Sequence, residues 1–96
     1  MTVQELLKVK RAEILETAAR HGARNVRLFG SAARGEADEA SDLDFLVDME
    51  QGRSLLDMGG LLMDLQALLG REVDVVTERG LKPRIRGPYP RGAVAL

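Results

Sequence analysis

Ninety-six residues with a formal net charge of −1 make one small domain with a modest, aliphatic core. With no cysteine and a single histidine, a disulfide framework, a thiolate site, a thiol nucleophile and a zinc centre are all excluded. No apolar run approaches the ~20 residues of a membrane span. The opening Met1-Thr2-Val3-Gln4-Glu5 lacks a signal peptide's basic and apolar regions, so the chain reads as cytoplasmic with no membrane partner.

Thr2 and Glu5 have the spacing of a capping box and open the first predicted helix. Val3, Leu6, Leu7, Ile14, Ala18 and Ala19 recur near one face of it. His21 and Gly22 read as its last turn and C′ glycine, which gives His21 a structural role near the helix dipole. Asn25 to Phe29 is a short strand, Ser31 to about Gly35 a short helix or turn, and Glu36 to Ser41 a polar loop. Leu43 to Asp48 is the second strand. Ser54 and Asp57 start a second long helix whose apolar face is read as Leu55, Met58, Leu62, Leu65 and Leu69, ending at Gly70. Gly59-Gly60 inside it costs ~1 kcal/mol per glycine relative to alanine, so a close contact or a kink is expected there. Glu72 to Thr77 is the third strand, and a short helix begins near Leu81. The order α-β-α-β-α-β-α fits an α/β sandwich, a small sheet covered mainly on one face by the two long helices.

Charge is distributed in blocks. Glu36 to Glu50 holds seven acids and no base, whereas Leu81 to Leu96 holds Lys82, Arg84, Arg86 and Arg91 and no acid. Such blocks are usually solvated faces, and the overall balance favours no polyanion, so direct nucleic-acid binding is not expected. Gly87-Pro88-Tyr89-Pro90-Arg91-Gly92 precludes a regular helix. Residues 1–86 therefore form the domain and 87–96 an extended or flexible tail.

Two carboxylates stand out of the acidic block. Asp42 and Asp44 flank Leu43 at the start of a strand, so they share a face with Cα atoms ~6.5–7 Å apart. Carboxylates that close repel each other unless a cation sits between them, and oxygen-only ligands favour Mg²⁺ or Mn²⁺. Gly30 permits a sharp turn or a close backbone approach. A helix starting at Ser31 would turn its free N–H groups and hydroxyl toward an anion; the competing reading makes Ser31 an ordinary N-cap. Asp74 interrupts the apolar run Val73, Val75, Val76. It either completes a three-carboxylate site with Asp42 and Asp44, or faces water on an edge strand, or pairs with Arg71 or Arg79. Metal-assisted chemistry at a phosphate follows from the residues, and the missing Gly-x-x-x-x-Gly-Lys loop argues against a P-loop NTPase.

The segments Gly30-Ser31-Ala32-Ala33-Arg34-Gly35-Glu36 and Ser41-Asp42-Leu43-Asp44-Phe45-Leu46-Val47 resemble the signature of the DNA polymerase beta-like nucleotidyltransferases. Residues 1 to 86 look like a minimal nucleotidyltransferase (MNT), the partner of HEPN-domain proteins. The resemblance implies a mixed sheet of about three to four strands with helices mainly on one face. It also implies ATP as substrate and two divalent ions, Mg²⁺ or Mn²⁺, held by Asp42, Asp44 and Asp74. Asp74 would act on the attacking hydroxyl, while Gly30 and Ser31 would contact the β and γ phosphates. Arg34 would approach a phosphate, or alternatively pair with Glu36 or Asp38. The implied activity is transfer of AMP to a tyrosine of a HEPN-type toxin RNase, making the chain an antitoxin. The alternative is a binding module that neutralises the HEPN partner by complex formation alone. The small size leaves little room for an acceptor-selecting domain, which favours an acceptor supplied by another protein.

Overall fold

The computed structural model describes residues 2–30, 35, 42–77 and 94–96. Helix α1 spans Val3–Arg20. Its capping box forms as the spacing demands: the Glu5 amide donates to Thr2 Oγ1 at 3.1 Å and the Thr2 amide donates to Glu5 Oε1 at 3.2 Å. His21 caps the other end, its amide donating to the Ala18 carbonyl at 3.1 Å, and Gly22 follows at φ +76°. That left-handed conformation suits glycine and turns the chain into the sheet.

Strand β1 covers Ala23–Phe29, β2 Leu43–Met49, β3 Val73–Thr77 and β4 Val94–Ala95. The sheet order is β3-β2-β1-β4, antiparallel except for the parallel β2–β3 pair. The mixed sheet implied by the resemblance is therefore present. Parallel neighbours need a crossover, supplied here by helix α2, Leu55–Leu69, between β2 and β3. Ser54 caps α2, accepting from the Leu56 amide at 3.2 Å, while its own amide donates to Asp57 Oδ2 at 2.9 Å. Gly70, at φ +67°, ends it.

Strand β1 begins two residues earlier than the sequence suggests, because Asn25 hides its start. Asn25 sits at φ +51°, and the register shifts between Arg24 and Arg27, leaving Asn25 and Val26 together opposite Val47. This is a β-bulge, and asparagine tolerates the left-handed conformation better than most residues. The extra residue lets Ala23 and Val26, an odd number apart, both enter the core. Asn25 Nδ2 donates to Asp48 Oδ2 at 3.0 Å, and Arg27 donates to Asp48 Oδ1 at 2.9 Å, anchoring the bulge to β2.

Both helices pack on one face of the sheet. Val3, Leu7, Ile14 and Ala18 of α1 and Leu61, Leu65 and Leu69 of α2 meet Leu28, Leu43, Phe45, Val47 and Val73 in a continuous core. Ile14, Leu43, Phe45, Val47 and Leu61 are completely buried, each contributing ~1.5–3 kcal/mol of apolar burial. The expected α2 face is met at Leu65 and Leu69, with Leu62 packed against the core, and missed at its first residue. Leu55 is 83% exposed, while Leu61, outside the expected set, is buried. The helix is apolar around nearly its whole circumference, so periodicity did not fix its rotation.

The paired glycines resolve into two different cases. A Cβ on Gly60 would stand 2.9 Å from the His21 ring, whereas one on Gly59 would meet nothing within 4 Å. The expected close contact is thus made at Gly60. His21 Nε2 lies 2.6 Å from Asp64 Oδ2, tying the end of α1 to the middle of α2.

The short helices expected near Ser31 and Leu81 lie outside the described residues. Of the expected tail, the last residues add a strand: β4 pairs Val94 with Leu28 and Ala95 with Arg27. The Leu96 amide donates to the Val26 carbonyl at 3.0 Å. No helix among the described residues is long and apolar enough to cross a membrane.

Candidate active site

The sheet face away from the helices carries the carboxylates, and the alternation of β2 puts them there. Leu43, Phe45 and Val47 point into the core, so Asp42 and Asp44 share the opposite face. Parallel register then sets Asp44 directly abreast of Asp74, on strands ~4.8 Å apart. The antiparallel β1 arrives from the other direction and places Phe29 across from Asp44, with Gly30 at the turn beyond. The starts of β2 and β3 and the end of β1 thus converge at one end of the sheet.

Gly30 has φ +74°, and a Cβ there would stand 2.7 Å from Asp44 Oδ2. Any side chain would push into the carboxylate, so both roles open to this glycine, the sharp turn and the close approach, are used. Asp42 and Asp74 are exposed and Asp44 is half-buried. Burial raises the Asp44 carboxyl above its ordinary range, and the charges of Asp74 and Asp42 raise it further. The fold therefore concentrates negative charge around a carboxylate partly removed from water, an environment that a divalent cation would relieve.

Asp74 shows features of two competing sequence readings at once. It does lie exposed on an edge strand. Among the described residues it has no ion-pair partner, which removes pairing with Arg71, while Arg79 lies outside the described residues. Its register beside Asp44 is the feature that ordinary exposure does not require. Among the described residues, no three donor side chains already enclose a common point in the manner of a finished metal cage. The donor set still fits a hard cation: it is all carboxylate, it is open to solvent on the Asp42 and Asp74 sides, and it is mutually repulsive. Ser31 and Arg34 lie outside the described residues.

A mixed sheet with helices on one face and a carboxylate cluster beside a glycine turn on the other is the frame of a phosphate-transferring enzyme. The chain belongs to the nucleotidyltransferase domain family, whose model matches residues 11–91. It is similar to the protein adenylyltransferase MntA of Thermococcus cleftensis, at 44% identity over 85 residues, covering 88% of this chain and 86% of the relative. It is also similar to a candidate protein adenylyltransferase of Methanocaldococcus jannaschii, at 40% identity over 79 residues, covering 82% of this chain and 84% of that one. A solved candidate minimal nucleotidyltransferase superposes with a TM-score of 0.85 at 54% identity, over 96% of this chain and 94% of the other. A toxin-antitoxin crystal structure with AMP-PNP shares the fold, with a TM-score of 0.61 at 24% identity, over 71% of this chain and 56% of the other. The chain is accordingly a transferase of phosphorus-containing groups, built on the minimal nucleotidyltransferase fold.

Proposed function

We propose that this chain transfers AMP from ATP to a hydroxyl of a partner protein, and that Asp42, Asp44 and Asp74 carry the reaction. The observation that carries the reading is the Asp44–Asp74 register beside Gly30. The relatives named protein adenylyltransferases support a protein acceptor.

Asp42 and Asp44 would hold the divalent ions, Mg²⁺ or Mn²⁺, and Asp74 would share the one nearest the acceptor. Bound there, a divalent cation supplies Lewis-acid stabilisation of phosphate charge and lowers the pKa of a hydroxyl. The acceptor oxygen attacks the α-phosphorus of ATP. The new P–O bond forms as the bond to the bridging α–β oxygen breaks, and pyrophosphate leaves. Asp74 accepts the hydroxyl proton; its exposure on the edge strand leaves it accessible to an incoming acceptor. Asp44, half-buried and fixed in the centre of the sheet, positions the pair. Gly30 and Ser31 would bind the β and γ phosphates, and Arg34 would approach a phosphate.

The acceptor we assign is a tyrosine of a HEPN-type toxin RNase, which the modification silences, so that the chain acts as its antitoxin. The resemblance carried by the Gly30-Ser31 and Asp42-Leu43-Asp44 segments supports this assignment. It also supports the cytoplasm as the place of action.

The test uses ATP labelled at the α or the γ phosphate, Mg²⁺ and the co-expressed product of the neighbouring reading frame. Label should reach a protein band from α-labelled ATP only, and should vanish in the Asp42→Asn/Asp44→Asn double variant. Transfer from γ-labelled ATP would make the activity that of a kinase. A stable complex that relieves toxicity without any transfer would assign neutralisation to binding alone.

A further inference from the structure

The two edges of the sheet are built differently. Strand β4 is two residues long and leaves little edge to pair with. Strand β3, the opposite edge, runs for five residues, Val73-Asp74-Val75-Val76-Thr77, in unbroken register with β2. Edge strands are ordinarily guarded by shortness, lysine, proline or a bulge, because their free backbone groups invite another strand. β3 has none of these guards, and apart from Asp74 it is built of valine and threonine, residues that favour strand pairing. Its single charge, Asp74, belongs to the carboxylate cluster.

The ladder fixes which backbone groups turn outward. The Leu43 amide donates to the Glu72 carbonyl at 3.1 Å, and Leu43 lies abreast of Val73. In a parallel pair alternate residues bond to the neighbour, so Glu72, Asp74 and Val76 face β2, while the amides and carbonyls of Val73 and Val75 face the edge. Gln66 of α2 meets the first of these groups: its Oε1 accepts from the Val73 amide at 3.4 Å. The Val73 carbonyl and the Val75 amide have no hydrogen-bond partner among the described residues. These two groups flank Asp74. They form the acceptor and donor between which one residue of a parallel neighbour is seated, directly abreast of Asp74.

We propose that the edge of β3 is where the acceptor docks: an extended segment of the partner protein pairs with β3, and the residue it seats between the Val73 carbonyl and the Val75 amide carries the hydroxyl that receives the nucleotide. The inference rests on the adenylyl-transfer reading above. Continuity with the site selects this occupant. Asp74 is exposed, and the next strand position lies ~4.8 Å beyond it, on the side away from Asp44. Residues abreast on neighbouring strands project to the same face, so the hydroxyl emerges beside the carboxylate that takes its proton. Main-chain bonds give such a segment affinity, and the position abreast of Asp74 gives it register. A second copy fits less well. Two-fold pairing of β3 with itself would continue the sheet and put both sets of Asp42, Asp44 and Asp74 on one face, where like charges repel. None of the three has an ion-pair partner among the described residues.

The test follows backbone amide exchange in the full chain, free and in complex with the co-expressed product of the neighbouring reading frame, alongside label transfer from α-labelled ATP. The Val75 amide should exchange rapidly in the free chain and slow about tenfold or more in the complex. Val75→Pro removes this amide at a place where an edge strand tolerates proline. It should raise KM for the partner about tenfold, with kcat and KM for ATP within about twofold of the wild type. Val75→Ala keeps the amide and should leave all three nearly unchanged. If Val75→Pro does not fold, the exchange measurement on the wild type decides alone. A Val75 amide already protected in the free chain, one left unprotected in a complex that transfers label, or a Val75→Pro loss confined to kcat would overturn the proposal. So would a concentration-dependent dimer whose formation protects Val75, because the edge would then belong to a second copy. Protection of Val75 in a complex without label transfer would leave β3 as the docking edge and remove the transfer reading instead.

Discussion

The two faces of β2 are made by one strand and serve opposite ends. Leu43, Phe45 and Val47 are completely buried under the helices, whereas on the other face Asp42, Asp44 and Asp48 flank Leu46, itself completely buried. Hydrophobic burial holds the first set in place. The second set gains nothing comparable, and Asp44 is kept beside like charges at the expense of its ionised form. Leu46 apart, stability and chemistry are thus divided between alternate residues of one segment, and substitutions of Asp44 and Phe45 should fail in different ways.

The largest expected separation comes from Asp44→Asn. Removing a metal-grade carboxylate should lower label transfer from ATP by about 10³-fold, since such charge stabilisation is worth several kcal/mol. The melting curve should remain cooperative. Phe45→Ala, one residue away on the other face, should act the other way round. It empties the centre of the core and should cost about 3–5 kcal/mol in denaturant unfolding, enough to leave a domain of this size largely unfolded near 37 °C. Equal losses of activity and stability in both variants would erase the distinction.

A third experiment sharpens it through pH. The carboxyl of Asp44 is raised in the folded state, so folding favours its protonated form. Its contribution to stability is therefore fully present below the ordinary value of 3.8 and is lost as pH rises through the raised folded value. In metal-free buffer at neutral pH, Asp44→Asn should melt above the wild type, and the gap should close below the ordinary carboxyl range. Added Mg²⁺ should raise the melting temperature of the wild type more than that of the variant, because a ligand that binds only the folded state stabilises it. A variant that melts below the wild type in metal-free buffer at neutral pH would show that burial and like charge do not dominate at Asp44.

How much of this was legible in the sequence depends on whether the signal was local. Both capping boxes, the glycine ends of the helices and the shared face of Asp42 and Asp44 are consequences of spacing within a few residues. The start of β1 was hidden by Asn25, whose left-handed conformation breaks the alternation by which a strand is read. The face of α2 was legible at Leu65 and Leu69 but not at its start, because apolar residues surround the helix and only the rest of the fold turns Leu61 inward and Leu55 outward. Strand β4 is two residues long and owes its conformation to β1, so nothing in Val94-Ala95 itself announces it. The register of Asp44 with Asp74 is likewise a tertiary fact. Each acid was visible separately, but parallel pairing set them abreast.

The smallest effect concerns the adjacent glycines of α2, which look equivalent in sequence and are not. Gly59→Ala fills open space and should stabilise the protein by ~0.5–1 kcal/mol. Gly60→Ala gains the same helix propensity but drives its methyl into the His21 ring. It should come out neutral or destabilising in the same chemical denaturation measurement, and a matching gain at both positions would mean that the His21 contact is slack.

The parallel β2–β3 ladder also sets when the site can exist. Asp44 and Asp74 lie on opposite sides of the crossover helix in sequence, so neither local hairpin formation nor helix nucleation brings them together. They meet only after α2 has folded back across the sheet and the long loop it spans has closed, the slow kind of event in chain assembly. A nascent or partly unravelled chain therefore carries all its acidic groups and no assembled centre, and competence for chemistry arrives together with completion of the fold.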